Sequence, residues 1–283
     1  MNMRSLTTFS PEDIQETHPE MKIGLLATVT PEGLPHVTML SSLMACSPGG
    51  LSFGQFTEGS SKENILEESK VGFMIMSLDR NLWRGTADYT HSSKDGPEFD
   101  YYNNVPMFRY NAYFGVHTVH YLDLVSHTGK SPLPMNRIIF ASVLSMLART
   151  IGKKREIQAV LNDWTRTFLN KLDNLKFLAY IGRDGYPVII PAIQAQCLDK
   201  QHIIFSTAVY EDELQEISPG ADLCVFGLAL TMEDVLLRGK YLGMHRKGGI
   251  RVGMVDINFV YNPMPPVPGQ IYPPVELRPV KEF

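Results

Sequence analysis

Short apolar runs broken by turn signals dominate the chain. Ile23 to Thr30 is β-branched and apolar, and it ends at Pro31-Glu32-Gly33, a turn leading into a second run from Pro35 to Leu43. That pattern predicts a β-hairpin. Leu51 to Phe56, Val71 to Leu78 and Leu82 to Tyr89 predict further strands, with a short helix over Lys62 to Ser69. Ser10-Pro11-Glu12-Asp13 has the capping residue, first-position proline and early acids of a helix start. Many short strands with one inserted helix suggest a small barrel.

The pattern then repeats. Ala27-Thr28-Val29, Glu32-Gly33-Leu34-Pro35, Leu51-Ser52-Phe53 and Trp83-Arg84-Gly85 return about 152 residues later. The second versions are Ala179-Tyr180-Ile181, Asp184-Gly185-Tyr186-Pro187, Ile203-Ile204-Phe205 and Leu237-Arg238-Gly239. Two copies of one unit point to a duplicated domain. Gly115 to Val125 aligns with Gly249 to Ile257 as the closing strand of each copy, whereas 91–111 has no counterpart. Between the copies, Asn136 to Thr150 and Arg155 to Leu172 carry apolar residues at helical spacing and predict two joining helices. From Asn262 the chain is proline-dense and is expected to wrap the surface as an extended arm rather than add to a sheet. The expected domains are therefore 1–135, a helical linker over 136–174, a second barrel over 175–262 and an arm over 263–283. The fold class is mainly β with helices, an α+β arrangement of two tandem barrels.

At 283 residues and 44% hydrophobic content, the chain can bury two cores. A net charge of −4, without a basic run, argues against a nucleic-acid partner. Cys46, Cys197 and Cys224 are widely spaced and free of any C-x-x-C pair, as expected of reduced thiols in a cytoplasmic protein. Neither a secretory h-region nor a bilayer-length apolar stretch is visible, so no membrane partner is expected.

The copies disagree most where a ligand would sit. After its third strand the first copy has Gly59-Ser60-Ser61-Lys62-Glu63-Asn64; the second has Tyr210-Glu211-Asp212-Glu213-Leu214. Ser60 to Glu63 fits the S-x-x-E capping box, in which Ser60 would cap the helix. A glycine, two hydroxyls and a lysine delivered at a helix start also suit a phosphate, through free amides, the helix dipole and the ammonium. The acids of the second copy would repel it, so one phosphate site per chain is expected.

The E-G-L-P hairpin, the strand and turn F-G-Q-F-T-E-G-S-S-K-E-N and the following W-R-G strand resemble the pyridoxamine 5′-phosphate oxidase-like, FMN-binding split-barrel family. The resemblance covers nearly all of the first half and, more weakly, the second, so the chain looks like a tandem two-barrel member. It implies FMN with its phosphate at Ser60, Ser61 and Lys62. The ribityl chain and ring would lie against Thr38, Met39, Leu40, Gln55, Phe56 and Thr57. It also implies a pocket completed by a second barrel, in cis or in a homodimer. The oxidase proper has S-R-K where this chain has Ser60-Ser61-Lys62, and no C-terminal R-x-H-type signature is present, so pyridoxamine phosphate is not the expected substrate.

A flavin needs position and shielding from its protein more than acids or bases. Trp83 and Arg84 are candidate ring contacts, although the recurrence of Arg-Gly as Arg238-Gly239 fits an architectural role equally. The aromatic insertion offers Arg109, Tyr110, Tyr113 and, at its exit, His117 as a substrate lid, or else as a cap on the barrel end. His117 and His120 lie three apart on the closing strand and point to opposite faces, so no metal site is expected. His36, beside Pro35, could equally face solvent. The expected function is an FMN-binding oxidoreductase acting on a small organic substrate. NAD(P)H would be at most a visitor, since no G-x-G-x-x-G follows a strand. The alternatives are a non-enzymatic flavin or haem binder, with His117 or His120 as axial ligand, and a deazaflavin-dependent reductase.

Overall fold

The computed structural model describes residues 5–106, 115–151, 159–263 and 268–275. Contacts group 1–133 with 181–189 in one unit, and 134–180 with 190–283 in the other.

The first unit opens with α1 (Pro11–Thr17), which starts at the expected capping residue and closes it into a capping box: the Asp13 amide donates to Ser10 Oγ while the Asp13 carboxylate accepts from the Ser10 amide. Strands β1 (Lys22–Val29), β2 (Pro35–Met39), β3 (Met44–Ser47) and β4 (Gly50–Gln55) follow, then α2 (Ser60–Glu67). After it come β5 (Lys70–Ser77), β6 (Asn81–Ser93), α3 (Pro97–Asn104), β7 (Thr118–His127) and β8 (Ser131–Pro132). The strands make one antiparallel sheet in the order β2-β1-β5-β6-β7-β4-β3, with β8 beside β6. Its buried face gathers Leu26, Leu51, Phe53, Ile65, Val71, Phe73 and Trp83. The interior indole Nε1 donates to Asp13 Oδ1 at 2.7 Å, tying α1 to this core. Although burial pushes the Asp13 carboxyl up, bonds from Trp83 and Ser10 outweigh it and hold the group below the usual aspartate value.

The second unit contains α4 (Met135–Ile151), α5 (Asp163–Asn170), β9 (Leu175–Ile181), β10 (Pro187–Pro191), β11 (Gln196–Cys197), β12 (His202–Ser206), α6 (Glu211–Gln215), β13 (Asp222–Leu228), β14 (Asp234–Lys247), β15 (Ile250–Asn262) and β16 (Gly269–Tyr272); the tip of the β9–β10 hairpin groups with the first unit. Its seven-strand order, β10-β9-β13-β14-β15-β12-β11, is the first order element for element, and only the added strand differs, β16 lying beside β15 where β8 lies beside the counterpart of β14. Neither sheet closes on itself, and the chain has the two tandem, split-barrel sheets that the repeat implies. The same turn makes both leading hairpins: Gly33 and Gly185 stand at φ 76° and 86°, and each amide donates to a carbonyl three residues back, of Thr30 and of Gly182. A left-handed residue at that point is why each copy carries glycine there.

Four expectations need correction. The insertion contains α3, whose fully buried Tyr102 donates to the Ser42 carbonyl at 2.9 Å, so this aromatic anchors a helix to the barrel. Strands β3 and β8 were not expected. The helix expected from Arg155 starts at Asp163, because Asn162 accepts from the Thr165 amide and sets its N-terminus. The arm after Asn262 does extend the sheet: β16 occupies Gly269–Tyr272, a gap between prolines, where it pairs with the far end of β15.

No described helix is long and apolar enough to cross a membrane. The three cysteines are free.

At the start of β14, burial pushes the Asp234 carboxyl up to about 7, and its Oδ1 has no hydrogen-bond partner among the described residues. A raised folded-state value means that stability is full below the ordinary aspartate range and declines as pH rises toward 7. Asp234→Asn is therefore expected to stabilise the protein on the order of 2 kcal/mol at pH 8, and to change little at pH 4. Urea unfolding at the two pH values checks this, and equal effects at both would contradict it.

Candidate functional site

The charged and polar groups of interest in the first unit converge where α2 leaves β4. Helix α2 packs on β1 and β2: Ile65 enters the core, and Asn64 Nδ2 donates to Thr28 Oγ1 at 2.9 Å. Its N-terminus departs from the expected capping box. The cap residue is Gly59, in extended backbone with no side-chain cap bond, and Ser60 is the first helical residue. Because glycine takes the cap position, the Lys62 amide donates to the Gly59 carbonyl at 3.0 Å, and among the described residues the Ser60 and Ser61 amides have no side-chain acceptor.

Lys62 bends back over this end. A methyl placed on Gly59 would sit 3.6 Å from Lys62 Nζ. Burial holds the Lys62 ammonium below its usual value, and the nearby Glu58 only partly offsets this. A half-buried cation beside uncapped amides is a site that an anion would complete.

Ser61 has a different role from the one implied for it. It is buried, and its hydroxyl makes a short bond to Thr38 Oγ1, which lies 3.3 Å from His36 Nε2. The chain His36–Thr38–Ser61 fastens α2 to β2. His36 is thus 5% exposed and does not face solvent.

On the next strands, His120 Nε2 lies 2.8 Å from Gln55 Oε1, and its ring stacks on Phe53 at 4.8 Å and 15°. Burial, reinforced by the Lys62 charge, pushes this histidine down to about 4, so it is neutral at neutral pH. The carbonyl of Gln55 can only accept, so Nε2 carries the proton and Nδ1 is an acceptor. That Nδ1 is buried and has no partner among the described residues.

The remaining expected contacts divide. Thr38, Met39, Gln55 and Phe56 are half-buried and Thr57 is exposed at the edge of this region. The Leu40 side chain joins the core and its amide donates to the Gly24 carbonyl, so Leu40 is structural. Trp83, with no exposed surface and its indole bonded to Asp13, is a core residue and not a ring contact. Arg84 is buried and donates to the Ile189 carbonyl at 3.2 Å. Its counterpart Arg238 lies over the Phe259 ring at 4.0 Å. Arg109, Tyr110 and Tyr113 lie outside the described residues. His117 is exposed, with Nδ1 2.8 Å from Thr118 Oγ1. The inward histidine is His120, and among the described residues no cluster suited to a metal is found.

The second unit acts as an internal control. Where the first has His36, Thr38, Gln55 and His120, the aligned positions hold Val188, Ile190, Thr207 and Gly253. Phe205 pairs with Gly253 as Phe53 pairs with His120. Helix α6 has five residues, begins after a left-handed Tyr210 and carries three acids in its first turn, of which Glu211 pairs with Arg251. The sheet needs none of the polar groups that the first unit has gathered.

No family model and no curated protein matches the chain. Solved structures do. An FMN-binding protein from Syntrophomonas wolfei subsp. wolfei aligns at 15% identity over 43% of this chain and 88% of its own, with a TM-score of 0.36. A candidate pyridoxamine 5′-phosphate oxidase from Lactobacillus delbrueckii aligns at 23% identity over 44% and 98%, with a TM-score of 0.34. An F420 reductase aligns at 21% identity over 42% and 94%, with a TM-score of 0.31. Each match spans less than half of this chain and most of its own, and at these identities and scores it bears on neither ligand nor chemistry.

Proposed function

We propose that the chain is an FMN-binding flavoprotein holding one flavin in its first unit, and that it works as an oxidoreductase on a small organic substrate. The observation that carries this reading is the uncapped start of α2 with the Lys62 ammonium folded over it, a combination replaced in the second unit by an acidic turn. Ser60, the first amides of α2 and Lys62 would hold the phosphate, with Thr38 and Ser61 fixing the helix against β2. Gln55 and neutral His120 would face the more apolar part of the ligand, where the Nδ1 acceptor matches a ring or ribityl donor. Bound FMN supplies the redox chemistry, and the chain binds it, orients it and keeps water away. Since the described residues offer no dinucleotide cradle, NAD(P)H would enter as a co-substrate.

Titration of the purified chain with FMN tests the reading. One equivalent is expected to bind, with flavin fluorescence changed, and the yellow colour is expected to bleach with NAD(P)H or a chemical reductant. Riboflavin, which lacks the phosphate, is expected to bind at least roughly tenfold more weakly, the worth of a charge-assisted phosphate contact. Tighter binding of a deazaflavin than of FMN would change the cofactor, and equal affinity for riboflavin would remove the phosphate site.

A further inference from the structure

The second unit has a polar feature of its own. Helices α4 and α5 both pack on β11, and beside them lies a cavity of about 570 Å³ lined by Val143, Met146, Leu147, Arg149, Thr150, Arg166 and Leu198. That volume falls within the usual range for small-ligand sites. Its walls are apolar apart from two guanidinium groups and one hydroxyl, and three of the wall residues belong to a stripe of exposed apolar side chains on α4: Val143, Met146 and Leu147 are 43–49% exposed.

Beneath Arg149 lies Gln196, only 1% exposed, whose Oε1 accepts from Arg149 Nη1 at 3.3 Å. Its Nε2 has no partner among the described residues, and the same holds for the buried Nε of Arg166. An amide in this place is not a requirement of the sheet, because the aligned residue of the first unit is the buried Met44. Arg166 and Arg149 both act on the thiol of Cys197, next to Gln196, together with Lys176 and against Asp199, so the two guanidinium groups converge on one spot. Arg166 pairs at 3.2 Å with Asp163, whose side chain is 93% exposed on the rim. Among the described residues that act there, Arg149, Arg166 and Lys176 against Asp163 and Asp199 leave about one positive charge to be matched.

We propose that this cavity binds a carboxylate carrying an apolar body, with its head between Arg149 and Arg166 and its chain along Val143, Met146 and Leu147. The residual charge suits a monoanion better than a phosphate dianion, and a planar carboxylate suits the guanidinium fork. The site is independent of the flavin reading, since it shares no residue with the first unit.

Calorimetric titration of the full-length protein with decanoate, with 1-decanol as the uncharged comparison, tests the proposal. Decanoate is expected to bind at one site per chain, and 1-decanol at least tenfold more weakly. The double variant Arg149→Gln, Arg166→Gln is expected to weaken decanoate by roughly tenfold to a hundredfold, the worth of hydrogen bonds to a charged group. Circular dichroism would confirm that it folds, and Lys62→Glu is expected to leave decanoate affinity unchanged. Equal binding of decanoate and 1-decanol, an unaffected folded double variant, or only many weak sites would each overturn the proposal. Should the double variant not fold, Gln196→Met, which restores the residue of the first unit, is expected to weaken decanoate; unchanged affinity would count against the site.

Discussion

Lys62→Glu is expected to abolish retention of FMN through purification while leaving the fold intact. Lys62 Nζ lies over Gly59 at the uncapped end of α2, so a glutamate there exchanges an attraction to phosphate for a repulsion at the same few ångströms. Each unit charge at about 4 Å is worth roughly 1–4 kcal/mol between bulk water and a partly buried site. Reversing the charge counts that amount twice, and a loss of affinity of at least about thirtyfold follows. The side chain makes no ion pair on which the fold depends among the described residues, so circular dichroism and the unfolding midpoint should barely move. Glu213→Lys, the mirror change in α6, should leave FMN content as it is. Stoichiometric flavin in purified Lys62→Glu protein would place the phosphate elsewhere.

Gly239→Ala is expected to destabilise the protein by about 3 kcal/mol, as a clash against backbone in a packed core does. A methyl on Gly239 would lie 2.0 Å from the carbonyl oxygen of Asp256, and one on Gly85 would lie 2.0 Å from that of Ser126. These are the glycines of the recurring Arg-Gly pair, and the strand pairing is irregular beside both. The obstructing atom in each copy belongs to a neighbouring strand, which can yield only by giving up its own pairing. Gly49→Ala is the comparison, since nothing lies within 4 Å of its added methyl. Should urea unfolding give Gly239→Ala the stability of Gly49→Ala, the strands are not that close. Gly239 lies in the unit that lacks the proposed flavin, so FMN content per folded chain should not change.

The same pair shows what the sequence can convey. That Arg-Gly recurs is visible in the residues; that glycine recurs because a carbonyl presses on it is a three-dimensional fact. Longer strands were legible because their apolar runs are buried on the sheet, whereas β3, at four residues, is too short to show a period. Helix α3 was hidden by a segment rich in tyrosine and asparagine, whose helical role rests on one buried ring, Tyr102. The S-x-x-E pattern at Ser60 misled because the glycine preceding it takes the cap position without supplying a side-chain acceptor, and local spacing cannot choose between them. Strand alternation separated His117 from His120, but identifying the inward one required the pairing of His120 with Phe53, or the comparison with Gly253. The charge reversal between the two helix starts was legible outright, because duplication supplied the comparison within one chain.

Strand order also has a consequence for how this polypeptide comes into being. In the first sheet β4 pairs with β7, joining Gly50 to Asp123, and in the second β12 pairs with β15, joining His202 to Asp256. A nascent chain therefore cannot finish either sheet until its late strand has left the ribosome, and such non-local pairing is slow. Until then β4 and β12 each wait with an unpaired edge, which makes the period before residue 127 emerges, and again before 262, the interval of greatest exposure to wrong partners.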